Sequence, residues 1–276
     1  MLLFKKYYNI KYIFHNVKYF IMKNKKNSFY SVKSLKRGIS IIEALAEKEP
    51  ELSVTEISKI TNLNISTVHR LLGTLIELDW IEQNLRNHKY RLSLIIFELG
   101  SVVVENIEIV KQAMPFMEKL SEKYNEAINL AQLQKDEIVY IHKIESDTTL
   151  KLDLKLGSRH PSYCTALGKI LLAYLDENEL SFYLKRIKLK KYTDNTIIDK
   201  KKLLNELRII RNKGYSFDYE EYIKGVNCIA VPIKDYLNEV CAALSIAIPT
   251  ARFNLDKVPF IIDDLINSAK KISSYK

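Results

Sequence analysis

The 276-residue chain has only three cysteines, Cys164, Cys228 and Cys241. An odd number with no metal-ligand spacing fits a reducing cytoplasm better than a disulfide framework. No apolar run approaches the roughly 20 residues of a membrane-spanning helix, so no membrane partner is expected. The seven glycines form no Gly-rich phosphate loop, and with no metal spacing either, no cofactor is expected. Acid is also missing from one long stretch. Residues 1–42 hold ten Lys or Arg and no Asp or Glu, whereas the rest of the chain sets 33 basic against 33 acidic residues. The net charge of +10 is therefore an N-terminal property, of the kind that touches phosphate in a salt-sensitive, sequence-blind way.

What is present reads as a globular protein. Hydrophobic residues make up 47%, an ordinary share, and the length predicts two domains. Residues 1–27, rich in Lys, Tyr, Phe and Ile, fit three readings: a signal-like or membrane-surface segment, an ordered extra helix, or an extension outside the fold. Lys5, Lys6, Lys11 and Lys18 interrupt any apolar core of the first kind. The third reading is preferred, with residues 1–30 a basic extension that is disordered or a mis-called start, and Met22 the true one.

The chain is organised around Ser53 to Leu78. Ser53 with Glu56 three residues on is a capping-box signature. It predicts a helix with Val54, Ile57 and Ile60 inward, and a preceding helix Ser34 to Glu47 with Leu35, Ile39, Ile42 and Leu45 inward. Thr61 to Asn64 is a turn, after which Asn64 or Ser66 caps a third helix. There Val68, Leu71, Leu72, Leu75 and Ile76 keep the i, i+3, i+4, i+7, i+8 spacing of one apolar face. Ser66, Arg70 and Gly73 point the other way, flanked by Thr67, His69 and Thr74. Strands Trp80 to Gln83 and Lys89 to Leu92 then form a hairpin carrying Arg86, His88, Lys89 and Arg91. A small helix with a Ser/Thr/Arg free face suits the major groove of double-stranded DNA, and a charged hairpin suits the adjacent backbone or minor groove. Alone, His69 reads as a surface histidine and Arg70 as a solvated charge. The cluster with its hairpin reads as a winged helix-turn-helix, with Ser66, Thr67, His69, Arg70, Thr74, Arg86 and Lys89 as DNA-contact candidates.

Ser93 to Val110 reads as a helix apolar over much of its girth, which a partner subunit would help to cover. A further helix starts at Met114. The second domain alternates strands (Ala127 to Gln134, Ile138 to Ile144, Leu150 to Leu154, Asn227 to Lys234, Val240 to Ile248) with helices at Thr165 to Tyr174, after Asp176, Lys202 to Lys213 and Asp256 to Ser273. Helices grouped around a mainly antiparallel sheet make an α+β domain. The expected division is 1–30 extension, 31–93 winged helix-turn-helix, 94–110 linker and dimerisation helix, and 111–276 second domain.

The segments SLKRGISIIEALAE, LSVTEISKITNLNISTVHRLLGTLIELDWIE and KYRLSLIIFELG resemble the N-terminal domain of the IclR family of bacterial transcriptional regulators. TALGKILLAYL, NTIIDKKKLLNELRIIRNKGYSFDYEEYIKGVNCIAVPI and AALSIAIPTAR resemble its C-terminal domain, so the likeness runs from Ser31 to the end. It implies a winged helix, a dimerising linker, a GAF-like effector-binding domain, and homodimers or homotetramers on palindromic operators. It also implies an effector pocket at Ala166, Leu167, Asp218, Cys228 and Ser245, where a helix start suits an anion and Asp218 accepts from ligand hydroxyls. Some family members carry a serine two residues beyond Ser245; here it is Ala247. Arg159, in the preceding loop, is a candidate partner for a ligand carboxylate. Without the resemblance, Cys228 is a small buried hydrophobe, Asp218 with Glu220 and Glu221 a solvated acidic turn, and Ser245 a strand-edge residue.

Three functions compete: a ligand-responsive DNA-binding regulator, an enzyme using Cys164 or Cys228 with His160 or His142, and a winged helix that binds protein. The second lacks an orienting third residue. The third lacks the apolar anchors expected of a protein-binding helix.

Overall fold

The computed structural model describes residues 31–47, 51–105, 107–147 and 155–274. The basic extension and the expected strand Leu150 to Leu154 lie outside these. The chain divides into two compact units, changing over between Val102 and Val103.

The first unit is three helices and a hairpin: α1 (Lys33–Glu47), α2 (Val54–Thr61), α3 (Ile65–Glu77), β1 (Ile81–Gln83) and β2 (Tyr90–Leu92). Its core gathers Ile41, Leu45, Leu52, Ile57, Val68, Leu72, Leu75, Ile81 and Tyr90. The buried stripe of α1 is Ile41, Ala44 and Leu45, which shares Leu45 with the expected face, and Ile42 of that face packs half-buried against the same core. Leu35 and Ile39 are 64% and 46% exposed, because Ile39 sits about 200° round the helix from Ile41. Ile60, in the last turn of α2, and Ile76 are likewise exposed. The capping box forms as expected: the Ser53 side chain accepts from the Glu56 amide, and the Glu56 carboxylate accepts from the Ser53 amide at 2.7 Å. Ser53→Ala is expected to lower the stability of this unit by about 1 kcal/mol, read as an earlier urea midpoint. Asn62, in the left-handed conformation, ends α2, and Asn64 caps α3 through the Thr67 amide.

The expected helix Ser93 to Val110 is two helices. Helix α4 (Leu94–Glu105) ends early, and α5 (Glu108–Tyr124) runs straight through Pro115. Met114, expected to start a helix, lies instead about two turns in, and the missing N–H of Pro115 beside it costs one internal hydrogen bond. On α4, Leu94, Phe97, Leu99, Val102 and Val103 are all exposed.

The second unit is a six-stranded antiparallel sheet in the order β5-β4-β3-β8-β7-β6. Its strands are β3 (Ala127–Gln134), β4 (Glu137–Ile144), β5 (Arg159–Pro161), β6 (Ser216–Tyr219), β7 (Val226–Lys234) and β8 (Val240–Pro249). The edge strands β5 and β6 were not foreseen, being too short to show alternation. The helices are α6 (Ala166–Ala173), α7 (Glu177–Arg186), α8 (Lys200–Lys213) and α9 (Val258–Ser273).

Period-two alternation splits each strand between two layers. On one face Ala242, Leu244, Ile246 and Ile248 of β8 join Met117 and Leu120 of α5 and Ile261 and Leu265 of α9. On the other, Ala131, Ala230 and Ala243 meet Leu167, Ile170 and Leu171 of α6 and Leu203, Leu207 and Ile210 of α8. Small side chains on this second face let α6 approach the sheet closely. No helix among the described residues is long and apolar enough to cross a membrane.

Candidate functional sites

On the first unit, α3 buries Val68, Leu72 and Leu75 and leaves Ser66, His69, Arg70, Gly73 and Thr74 exposed, with Thr67 half-buried. The Thr74 hydroxyl donates to the Arg70 carbonyl at 3.2 Å, so it is partly engaged by its own helix. The hairpin pairs Ile81 with Leu92 and Gln83 with Tyr90, and Arg86 is exposed at its turn. Its other cations are partly neutralised. Arg91 bonds Glu82 at 2.9 Å and lies 3.6 Å from Glu51, and Lys89 lies 3.9 Å from Glu56. Glu51 in turn accepts from the Asn84 and Asn87 side chains, tying the hairpin to the segment before α2. Arg86 has no ion pair among the described residues, which makes it the freest charge of the wing.

On the second unit, the five effector candidates come together. Ala166, Leu167, Asp218, Cys228 and Ser245 all line one small cleft with Asn129, Tyr140, Thr165, Tyr222, Ile223, Val226 and Ala247. The register explains the convergence. Asp218 lies opposite Cys228, and Cys228 opposite Ala247. In the next row Ser245 lies between Asn129 and Ala230. Positions two apart share a face, so both rows point at the layer that holds α6.

Thr165 caps α6 by accepting from the Gly168 amide at 3.2 Å, and donates to the Pro161 carbonyl. The amides of Ala166 and Leu167 have no hydrogen-bond partner among the described residues, leaving donors for an anionic oxygen. Asp218 is only 5% exposed. Burial, then the nearby Glu221, pushes its carboxyl up to about 7, against the pull of the Glu221 amide it accepts from at 2.7 Å. Lys169, itself buried, donates to Glu221 and lies 3.6 Å from Glu206. Asp218 and Glu221 are thus a buried, internally paired cluster and not a solvated acidic turn.

Arg159 does not reach the cleft. It is exposed on the edge strand β5 and donates to Gln134 at 2.8 Å, because period two turns it away from the site layer. Nor does the geometry provide a cysteine nucleophile. Burial raises the thiols of Cys164 and Cys228, the opposite of what thiolate chemistry needs. His160 bonds Ser158 at 2.9 Å and Tyr222 at 3.0 Å, with neither thiol among its partners.

Sequence reasoning missed Asn129, Tyr140, Tyr222 and Ile223. Asn129 had a signal, a lone polar residue in a run buried on both faces. Tyr222 and Ile223 had none, since the loop between β6 and β7 brings them in.

Comparison with known proteins places these features. Residues 34–85 match the IclR helix-turn-helix domain, and residues 101–274 the bacterial transcriptional regulator IclR C-terminal domain. The HTH-type transcriptional regulator KdgR of Escherichia coli (strain K12) is 39% identical over 244 residues, 88% of this chain and 92% of that one. Among solved structures, the Thermotoga maritima IclR superposes with a TM-score of 0.71 at 30% identity, covering 87% of this chain and 97% of that one. An IclR homolog from Microbacterium hydrocarbonoxydans complexed with 4-hydroxybenzoate shares the fold, with a TM-score of 0.77 at 22% identity and coverage of 88% and 98%.

Proposed function

We propose, from the premise that this chain belongs to the IclR family of bacterial transcriptional regulators, that a small organic or sugar acid in the second-unit cleft modulates its binding to operator DNA. The observation that carries this is the meeting of Ala166, Leu167, Asp218, Cys228 and Ser245 at one cleft. Free helix-start amides in that cleft suit a carboxylate, and Asp218 and Ser245 suit hydroxyl or carbonyl groups. A homolog of this fold holding a carboxylic acid is consistent with it.

In this reading residues 31–93 bind DNA, 94–110 link and dimerise, and 111–276 sense the effector. Ser66, Thr67, His69, Arg70 and Thr74 enter the major groove, with Arg86 and Lys89 on the wing beside them. The exposed apolar residues of α4 support a homodimer or homotetramer. The protein works in the cytoplasm without a cofactor or a reaction of its own. Effector and DNA affinities must then be coupled reciprocally.

A gel shift on the DNA upstream of its own gene, with and without candidate acids, tests this. Absence of specific retention by folded protein at moderate salt would sink it. Arg70→Ala is expected to cost about 1–3 kcal/mol and to relax specificity at one base pair, as for bidentate guanine contact. A loss equal on every sequence would make Arg70 a phosphate contact instead.

A further inference from the structure

We propose that Asn129 and Tyr140 form a second polar subsite of the cleft that reads a hydroxyl on the effector, so that the cleft selects hydroxylated over plain carboxylic acids. This rests on the reading of the cleft as a carboxylate site.

The sheet spreads the cleft's polar groups along one direction. Asp218 lies on β6, Cys228 on β7, Ser245 on β8, Asn129 on β3 and Tyr140 on β4. Asn129 is opposite Ser245, and Tyr140 is opposite Ala131, two residues along β3 from Asn129. All three therefore share a face as immediate or diagonal neighbours.

The side chain of Asn129 is 1% exposed, yet its carboxamide oxygen has no hydrogen-bond partner. Its amide nitrogen donates to no described residue either. Tyr140 is 6% exposed. Its ring packs edge-on against His160, and its hydroxyl has no hydrogen-bond partner among the described residues. Burial raises the pKa of that hydroxyl, so it stays a donor. Buried polar groups in native folds are almost always paired. Two unpaired groups on adjacent strands, both lining the cleft, are complementary to something the cleft holds.

The chemistry narrows what that is. Asn129 offers one acceptor and a donor pair, and Tyr140 a hydroxyl that both donates and accepts. An alcohol hydroxyl can donate to the Asn129 carboxamide oxygen and accept from the Tyr140 hydroxyl. A methylene cannot, and leaves buried polar groups orphaned. Beside them on the same face the lining is apolar, with Ala127, Val226 and Ala247 packed against Ile223, so Ala247 contributes no competing donor.

The test is calorimetric titration of the full chain with two six-carbon acids, D-gluconate and hexanoate. The wild type is expected to bind gluconate at least about tenfold more tightly. Asn129→Ala and Tyr140→Phe should each weaken gluconate about tenfold while barely changing hexanoate. The ligand-free melting temperature of Asn129→Ala should not fall, since the removed amide bonds nothing in the protein. A lower melting temperature with equal loss for both acids would make Asn129 structural and overturn the inference. So would unchanged gluconate affinity in both variants. Binding of hexanoate without gluconate would refute the subsite but leave the carboxylate reading standing. Binding of neither acid would overturn both.

Discussion

Gly168→Ala is expected to destabilise the second unit severely and, on the proposed function, to abolish the effector response. A methyl group at Gly168 would lie 2.2 Å from the Ser162 carbonyl oxygen, 2.3 Å from its Cα and 2.6 Å from its carbonyl carbon. All three are backbone atoms, so no flexible side chain can give way. Ser162 is itself fixed, donating to the Asp136 carbonyl at 2.6 Å and bonding the Tyr183 hydroxyl at 2.8 Å. Helix α6 must therefore back away, at a cost of about 3 kcal/mol or more, the upper end for overpacking. The displaced turn carries Ala166 and Leu167, so the cleft would be lost with it. Chemical denaturation checks the first effect, and DNA binding with and without the candidate acids the second. Gly38→Ala is the contrast. Nothing lies within 4 Å of that added methyl, and in a helix the change is expected to stabilise by about 0.5–1 kcal/mol. If Gly168→Ala melts like the wild type, the close approach of α6 does not matter.

Lys169→Ala is expected to cost about 3–5 kcal/mol at neutral pH, because it leaves a buried carboxylate without its partner. Lys169 is 1% exposed and Glu221 6%, and one Glu221 oxygen already lacks a hydrogen-bond partner. Burial raises the carboxyls of both Glu221 and Asp218, with Lys169 the principal charge opposing it. Without the lysine both shifts grow, and the folded state holds protons that the unfolded chain gives up near pH 4. Where the native state binds more protons, stability falls as pH rises. The deficit should thus be largest above pH 7 and shrink towards pH 5. Melting temperatures of wild type and variant across that range measure it. The double change Lys169→Met with Glu221→Gln should recover most of the loss, since a neutral pair avoids the buried charge. A deficit independent of pH would show that packing of the lysine stem, not its charge, is what matters.

Much of this was legible in the residues. The capping box at Ser53 and Glu56, the caps Asn64, Asp176 and Asp199, and the stop at Gly214 are local signals, each satisfied within a few residues. So are the near-continuous apolar runs of β7 and β8, which are buried on both faces. The errors share one cause. Leu35, Ile39 and Ile60 are apolar and helical, but burial depends on which face meets a neighbour. Met114 is the expected start of a helix, yet α5 runs through it and Pro115, packed through Val110, Ala113, Met117 and Leu120 against the sheet.

By itself the sequence determined two domains, several of their helix caps, the exposed polar face of α3, and the likeness that named five cleft residues. Only the tertiary structure decided that those five converge, that Arg159 does not join them, and that Asn129 and Tyr140 do. The physical reason is range. Caps and periodicity act over one or two turns, whereas the cleft is set by strand register between segments as far apart as Asn129 and Ser245. A one-residue slip there would turn each side chain to the other face.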